Sequence, residues 1–312
     1  MQHDVLQSEL LTKWRERIEL KCPTCLIKHG VASLSVTYSG DRWFTVVSDP
    51  WVLEVKGIPS TSQELMSDAD ILQSLVFDTA REIGLQPHSR IGGGHIHLDI
   101  ETFFGEDKLL LRNFLVDLAN HPELFLGALG FDLLNAPPIA LLSATQREAF
   151  AEVIREFDEG KLGMVGIRKA IIRRVYNSTF YPQYAHQRSY SEKYQAVNLS
   201  HEKTIELRGL RPEKSLRHHL LILQLFEKRI EYLKRLDKPI AYNNKDYSNL
   251  FEGHTERALD TFTSHIKPEI IENAFRSYVL ETELNWNDYR ELLIHDGQEI
   301  SGGGNSCEAL FR

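Results

Sequence analysis

The spacing of apolar residues predicts helices and strands in alternating blocks along the first part of the chain. Residues 5–20 have helical spacing, and residues 62–84 return to it after an interval of β-branched and aromatic residues. Turn signals at 39–41 and 48–50 divide that interval, which covers residues 26–59. The pattern therefore predicts a helix, a three-stranded antiparallel meander and a second helix.

The second part of the chain continues the same alternation of strands and helices. Its predicted elements are a strand at 94–99, two or three helices within 106–175 that restart at Ser143, strands within 194–210, a helix at 215–236, and helical segments at 254–265 and 268–294. Hairpin-joined strands with helices gathered in blocks indicate an α+β fold, in which helices flank an antiparallel sheet. The predicted divisions are 1–25, an N-terminal helix and strand segment; 26–236, a catalytic domain; 237–300, a helical region; and 301–312, a flexible tail.

Two short strands combine an apolar face with a polar face. Because side chains alternate along a strand, His95, His97 and Asp99 share one face, while Ile96 and Leu98 face the core. In the second strand, Thr204, Glu206 and Arg208 likewise share one face. These polar faces contain the residue types that bind a divalent metal and an anionic phosphate.

Composition narrows the classes of partner that the chain is expected to bind. The 312 residues carry a formal net charge of −8, which argues against general binding to nucleic acids or anionic membranes. No apolar run reaches the length of a membrane span, and the N-terminus lacks the features of a signal peptide. Three cysteines cannot form a disulfide framework, so we expect a cytoplasmic protein in which Cys22 and Cys25 are ordinary thiols.

Three residues on three predicted strands form the candidate metal site. Glu54 lies on the last strand of the meander, His95 on the His-x-His strand and Glu206 on the later strand. Carboxylates with an imidazole suit Mg²⁺ or Mn²⁺ bound together with the phosphates of a nucleotide. The sequence therefore predicts Glu54, His95 and Glu206 as metal ligands.

Basic residues and glycines near these strands are the candidate phosphate-binding residues. Arg208, His97 and Lys203 can neutralise phosphate charge, which is the main requirement for phosphoryl transfer. Gly93 and Gly94 allow the backbone to come close to a nucleotide.

Substrate recognition is predicted at two further positions. Residues 176–194 are rich in aromatic and basic residues, including Arg188, and form a long loop of the kind that often covers a substrate. Arg211 is a candidate for binding a substrate carboxylate.

The motifs Gly94-His95-Ile96-His97, Asn198-Leu199 and Thr204-Ile205-Glu206-Leu207-Arg208 resemble those of the amidoligase family. That family belongs to the glutamine synthetase and glutamate–cysteine ligase superfamily of carboxylate–amine ligases. The stretch 49–59 resembles the family's Glu-containing strand, and the likeness covers roughly residues 40–235. The chain departs from the family at the N-terminus, where Glu19 in Arg17-Ile18-Glu19-Leu20-Lys21 replaces a Glu-x-Glu strand.

The resemblance implies an ATP-dependent ligase in which a glutamine synthetase-like sheet is the floor of a site for ATP and Mg²⁺ or Mn²⁺. It implies that Glu54, His95 and Glu206 bind metal, that Arg208 stabilises the transferred phosphoryl group, and that His97 lines the site. The partners would be a nucleotide, a carboxylate and an amine, the last from an amino acid, a peptide or a protein side chain; an oligomer is compatible with this function. Three alternatives stay open: a zinc hydrolase using His95, His97 and Asp99, a phosphotransferase, and an inactive nucleotide-binding relative.

Overall fold

The computed structural model describes residues 2–49, 52–87, 93–125, 128–130, 136, 139–176, 195–246 and 268–293. The chain divides into two compact units. The first comprises Met1–Gly92 and Pro212–Gln224, and the second comprises Gly93–Arg211 and Leu225–Arg312. The predicted divisions at 25/26 and 236/237 do not coincide with the limits of these units.

The first unit contains the predicted antiparallel meander, with an additional short strand at its start. Its strands, hydrogen-bonded in chain order, are β1 Leu26–His29, β2 Ser33–Ser39, β3 Arg42–Asp49 and β4 Val52–Gly57. The prediction of three strands was therefore one short. Strand β1 pairs with β2 from Leu26↔Thr37 to His29↔Leu34, but it is mostly exposed, so its sequence lacks the alternation that marks β2.

Helices cover one face of this sheet and complete its core. They are α1 Gln2–Lys21 and the nearly continuous run α2 Ser62–Ser67, α3 Ala69–Leu72, a π-helical turn Gln73–Asp78 and α4 Thr79–Glu82. Leu11, Trp14 and Ile18 of α1 lie in an apolar cluster with side chains from β2, β3 and the second helical run, and Leu216 joins the same cluster. Gly84 ends the run at a φ of 85°, a backbone conformation that favours glycine.

The region 17–21, which was compared above with a Glu-x-Glu strand, lies at the end of α1. Glu19 forms an ion pair with Arg15 at 3.6 Å, and its side chain is 56% exposed. Glu19 is thus a surface residue of a helix.

Cys22 and Cys25 form a disulfide, so the expectation of two free thiols was wrong. A turn closes at the end of α1, where the Cys25 amide donates to the Cys22 carbonyl at 3.0 Å. The turn brings the two Cα atoms to 5.4 Å, within the usual range for a disulfide. Neither sulfur is a thiolate in this structure.

The second unit contains the His-x-His strand in a three-stranded antiparallel sheet of order β5-β7-β6. Its strands are β5 Gly94–Asp99, β6 Val197–Asn198 and β7 Thr204–Leu210. Its helices are α5 Ile100–Phe103, α6 Lys108–Asn120, α7 Ala144–Asp158, α8 Met164–Ile171 continuing as a π-helical turn Ile172–Tyr176, α10 Pro268–Glu281 and α11 Trp286–Tyr289, with short 3-10 turns at Pro122–Leu124, Ile139–Leu141 and Arg290–Leu292. Helix α9 Leu216–Lys234 contains the division between the units.

The predicted restart at Ser143 is confirmed. The Ser143 and Gln146 side chains and backbone amides form a reciprocal capping box at the start of α7. The predicted loop at 176–194 beyond Tyr176, the predicted helix at 254–265 and the predicted tail at 301–312 lie outside the described residues. Mixed helices with two antiparallel sheets agree with the predicted α+β class.

Helix α6 is buried on almost all sides, and its polar residues are matched by partners from other segments of the second unit. Asp117 accepts two hydrogen bonds from the Arg229 guanidinium of α9, at 3.0 and 2.5 Å, and a third from the Tyr278 hydroxyl at 3.0 Å. Arg229 also reaches Glu281 at 2.7 Å. A buried ionic network therefore joins α6, α9 and α10.

The segment after α9 packs against α6 and is held there by two asparagine side chains. The Asn113 amide donates to the Lys238 carbonyl at 3.1 Å and accepts from the Ile240 amide at 3.0 Å. The Asn120 side chain makes a matching pair of hydrogen bonds further along the segment. It donates to the Ala241 carbonyl and accepts from the Asn243 amide, both at 2.8 Å. Asn113 and Asn120 replace the partners that a neighbouring strand would give this segment. We call residues 238–246 the strap.

No helix among the described residues is long and apolar enough to cross a bilayer.

Candidate metal and phosphate site

Strands β5 and β7 pair so that their polar faces coincide. His97 lies opposite Glu206, and Asp99 lies opposite Thr204. The predicted alternation of β5 is confirmed, since Ile96 and Leu98 are buried and His97 is exposed. Because opposed residues share a face of the sheet, the His-x-His motif and the Glu-x-Arg motif are brought to one site.

Glu206 is the centre of this site, with a side chain only 2% exposed. One carboxylate oxygen accepts from Arg208 Nη1 at 2.8 Å, and the other accepts from Asn198 Nδ2 at 2.6 Å. His201 Nε2 lies 2.9 Å from the second oxygen, and His95 Nδ1 lies 3.3 Å from the first. A buried carboxylate needs such partners, because burial without them is costly.

Glu206 is held as a carboxylate despite its burial. Burial alone would raise its pKa, but the charge of Arg208, the hydrogen bonds from Asn198 and His201, and the nearby His95 together lower the pKa below its usual value. Glu206 is therefore a carboxylate at neutral pH, paired with the Arg208 guanidinium.

His97, His201 and Glu206 form a group that can hold a metal ion. One ligand atom from each lies within 4.8 Å of the others, and among the described residues no other such group of His, Cys, Asp or Glu is found. His97 Nε2 is 3.8 Å from Glu206 Oε1, and its other ring nitrogen lies 3.2 Å from the Thr204 hydroxyl. The imidazoles of His97 and His201 meet edge to face, with centroids 5.1 Å apart.

The turn between β6 and β7 places His201 beside the Glu206 carboxylate. Asn198 Oδ1 accepts from the Ser200 amide at 2.9 Å and from its hydroxyl at 2.7 Å, which closes a local side-chain turn. Arg168 of α8 donates to three backbone carbonyls of the same turn, those of Leu199 at 3.3 Å, Glu202 at 3.1 Å and His201. A buried guanidinium thus fixes the backbone on both sides of His201.

A bulge and two glycines shape the end of the sheet at this site. The β5–β7 register shifts between Gly94 and Ile96, at His95. Gly130 passes so close to β7 that an added Cβ would lie 1.6 Å from the Gly209 carbonyl oxygen. A Cβ on Gly209 itself would lie 2.7 Å from the Phe125 ring. Glycine is therefore required at 130 and 209 for packing of the segment against the strand.

The structure brings together four of the predicted site residues of the second unit. His95, His97, Glu206 and Arg208 meet at the buried carboxylate. Gly94 is the first residue of β5, and Gly93 precedes it. Lys203 is an exposed turn residue whose carbonyl accepts from the Ile100 amide at 2.9 Å.

Two other predicted site residues, Glu54 and Arg211, make contacts of a different kind. Glu54 lies on β4, in the sheet of the first unit, and forms an ion pair with Lys56 at 3.0 Å. Arg211 is buried, and its amide donates to the Leu129 carbonyl at 2.9 Å. Arg188 lies outside the described residues.

Asp99, which the zinc alternative requires, caps a helix. Its Oδ1 accepts from the Thr102 amide at 2.8 Å and from the Thr102 hydroxyl at 2.7 Å, at the start of α5. These hydrogen bonds, with the charge of Lys203, lower the pKa of Asp99 although slight burial would raise it. The group in the structure keeps His97 of the suggested zinc set and has His201 and Glu206 in place of His95 and Asp99.

Sequence reasoning missed His201 and Arg168. His201 lies in a turn, and turns have no periodicity that assigns a side chain to a face. Arg168 lies in a helix 33 residues before His201, and its role depends on the tertiary fold alone. Asn198 was quoted only as part of the family motif; its hydrogen bond to Glu206 gives it a place in the site.

Comparisons with protein-family models, with curated proteins and with solved structures find no match to this chain.

Proposed function

We propose that this chain is an ATP-dependent carboxylate–amine ligase of the amidoligase type, with a glutamine synthetase-like sheet as the floor of its metal and nucleotide site. The single observation that supports this most strongly is the buried Glu206 carboxylate, surrounded by His95, His97 and Arg208 of β5 and β7 and by His201 of the adjacent turn. The motif resemblance of the same residues supplies the reaction type.

The charge balance of the site supports joint binding of a metal and an anion. Glu206 is the one carboxylate of the three-residue metal group, and Arg208 already balances its charge at 2.8 Å. A divalent cation bound there would leave an excess of positive charge, because the imidazole ligands are neutral. Nucleotide phosphates would neutralise that excess, so metal and nucleotide should each strengthen the binding of the other.

The proposed reaction activates a carboxylate and then joins it to an amine. The substrate carboxylate oxygen attacks the γ-phosphorus of ATP, the bond to ADP breaks, and an acyl phosphate forms. The amine then attacks the acyl carbon and expels inorganic phosphate, leaving an amide and releasing a proton. Arg208 would stabilise the transferred phosphoryl charge, and Glu206 with the histidines would hold the cation that accompanies the nucleotide.

Calorimetric titration of ATP with Mg²⁺ or Mn²⁺ tests the nucleotide site. We expect binding by the wild type and its loss in Glu206→Gln and His95→Ala, which remove the charge or one of its partners. His29→Ala is a matched control, because His29 is exposed on β1 in the first unit. Binding that is equal in all four proteins would contradict the proposed site.

Product analysis then tests the reaction type. Release of ADP and phosphate that requires both a carboxylate and an amine is the expected result for a ligase. Release of ADP upon addition of the carboxylate alone, with a stable phosphorylated product, would favour the phosphotransferase. Nucleotide binding without turnover under any substrate pair would favour the inactive relative.

A metal-dependent hydrolase is the second candidate, and the His97, His201 and Glu206 group favours it. Two imidazoles and one carboxylate are a ligand set found in catalytic zinc sites. Hydrolysis of a substrate in the presence of metal, with no dependence on ATP, would select this candidate.

A further inference from the structure

We propose that His97, His201 and Glu206 hold a resident transition-metal ion in preference to Mg²⁺, and that Arg168 is the positioning residue that makes the third ligand available. This inference rests on the proposed function only for the role of the metal beside the nucleotide. It concerns the class of cation, for which the predicted set of Glu54, His95 and Glu206 indicated Mg²⁺ or Mn²⁺.

The donor atoms favour such an ion. Mg²⁺ prefers oxygen ligands and keeps several waters, whereas imidazole nitrogens suit Zn²⁺, Co²⁺ and related ions. The group offers two imidazoles and one carboxylate. Three protein ligands also leave a coordination position for a phosphate or substrate oxygen.

Supporting hydrogen bonds already orient two of the three ligands, His97 and Glu206. The Thr204 hydroxyl lies 3.2 Å from His97 Nδ1, which directs Nε2 toward Glu206. Asn198 and Arg208 hold the two oxygens of Glu206 at 2.6 and 2.8 Å. Such outer partners are a regular feature of protein metal sites and set ligand orientation.

His201 differs from the other ligands because it lies on a turn, where the sheet does not fix its position. Arg168 provides the missing restraint, since its guanidinium binds the carbonyls of Leu199, His201 and Glu202. A planar fork of donors can bind several carbonyls at once, and a lysine ammonium cannot reproduce that geometry. Arg168 therefore acts on the metal through His201, without contact with the ion.

Titration with Co²⁺ in the absence of nucleotide tests the proposal, because imidazole-bound Co²⁺ has a visible absorption spectrum. We expect the wild type to bind Co²⁺ at least about tenfold more tightly than Mg²⁺, measured by competition. His201→Ala should weaken Co²⁺ binding by about tenfold or more, and Arg168→Lys should weaken it by about tenfold to a hundredfold, as for other outer partners. Mg²⁺ binding should change little in either variant.

Two matched controls isolate these effects. Arg155→Gln removes an exposed arginine of α7, whose guanidinium pairs only with Glu152 at 3.3 Å among the described contacts. His29→Ala removes an exposed histidine of the first unit. Both should bind Co²⁺ as the wild type does.

Equal binding of Co²⁺ and Mg²⁺ by the wild type, or unchanged Co²⁺ binding in His201→Ala, would overturn the proposal. The His201 side chain is 45% exposed, so its replacement is not expected to disrupt the core. His201→Ala therefore still tests the metal site if Arg168→Lys fails to fold. Nucleotide binding without a preference for Co²⁺ would refute this inference alone. A Co²⁺ preference without nucleotide binding would refute the ligase and leave the inference standing.

Discussion

The two units of this protein are built from different kinds of interior. Among the described residues, the buried polar side chains of the first unit are the hydroxyl residues Ser62 and Thr79. Every buried charged residue described belongs to the second unit: Arg112, Asp117, Glu123, Arg147, Arg168, Glu206, Arg211 and Arg229. The fully buried interior of the first unit is stabilised mainly by apolar packing, whereas that of the second also contains paired charges and amides.

This difference in composition predicts which substitutions each unit tolerates. Apolar cores tolerate hydrophobic substitutions that keep volume, because packing is not directional. Buried polar networks do not, because removal of one partner leaves the other without its hydrogen bond or its counter-charge. The candidate site lies in the second unit, whose interior contains such networks.

Removal of one charge from the buried network of the second unit should have the largest effect on stability. Arg229→Met leaves Asp117 buried without its principal counter-charge, which costs about 3 to 5 kcal/mol in comparable buried pairs. Chemical denaturation would measure the change. Lys228→Met is the matched control on the same helix, where an exposed pair with Glu231 at 2.7 Å contributes below about 1 kcal/mol. Equal losses in the two variants would remove the distinction between the units.

The next largest difference in stability between the units should come from substitutions that preserve side-chain shape. Asn113→Leu leaves the Lys238 carbonyl and the Ile240 amide of the strap without a partner, at a cost of about 2 to 4 kcal/mol for two groups. Ile18→Leu in the apolar core of the first unit keeps its volume and should cost less than about 1.5 kcal/mol. Denaturant midpoints of the two variants would test this order, and a reversed order would contradict it.

The disulfide of the first unit should make a smaller contribution. It closes a loop of only a few residues between Cys22 and Cys25, for which chain entropy predicts about 2 kcal/mol. Melting temperatures with and without reductant would measure this effect, and Cys25→Ala, which should not respond to reductant, is the control. A response of Cys25→Ala equal to that of the wild type would assign the effect to another cause.

A pH-dependent pair in the first unit should give the smallest effect. Burial would lower the pKa of His219, but its hydrogen bond and charge interaction with Glu213 raise the pKa above its ordinary value of 6.5. A raised pKa in the folded state means that this stabilisation is complete below about pH 6.5 and disappears as the pH rises through the folded pKa. The stability difference between wild type and His219→Gln should therefore be below about 1 kcal/mol at low pH, and it should shrink as the pH rises. A difference that grows above pH 7 would contradict the assignment.

The same contrast explains which features the sequence could predict. Apolar spacing located α1, the meander and the helical run at 62–82, because one face of each is buried in an apolar core. Alternation also located the polar faces of β5 and β7, with His95, His97, Glu206 and Arg208 on them. The register that opposes His97 to Glu206 depends on tertiary pairing.

The remaining features have no periodic signal in the sequence. Glu54 shares the polar pattern of the other candidate ligands, but a pattern along one strand does not say which sheet contains the strand. The pairing of Cys22 with Cys25 was missed because a CxxC spacing is equally compatible with thiols, metal ligands and a disulfide. Arg168 and His201 meet through a turn and a helix that are distant from each other in sequence.

The division within helix α9 has a consequence for the order in which the protein can fold during synthesis. The first unit is discontinuous, since Leu216 belongs to its apolar cluster and the Leu216 amide donates to Gln73 Oε1 across 143 residues. A ribosome therefore makes residues 93–211 of the second unit before it makes the last segment of the first. Until α9 emerges from the ribosome, the nascent first unit stays incompletely packed. Premature release of the chain before residue 216 would leave the apolar core of that unit exposed to solvent.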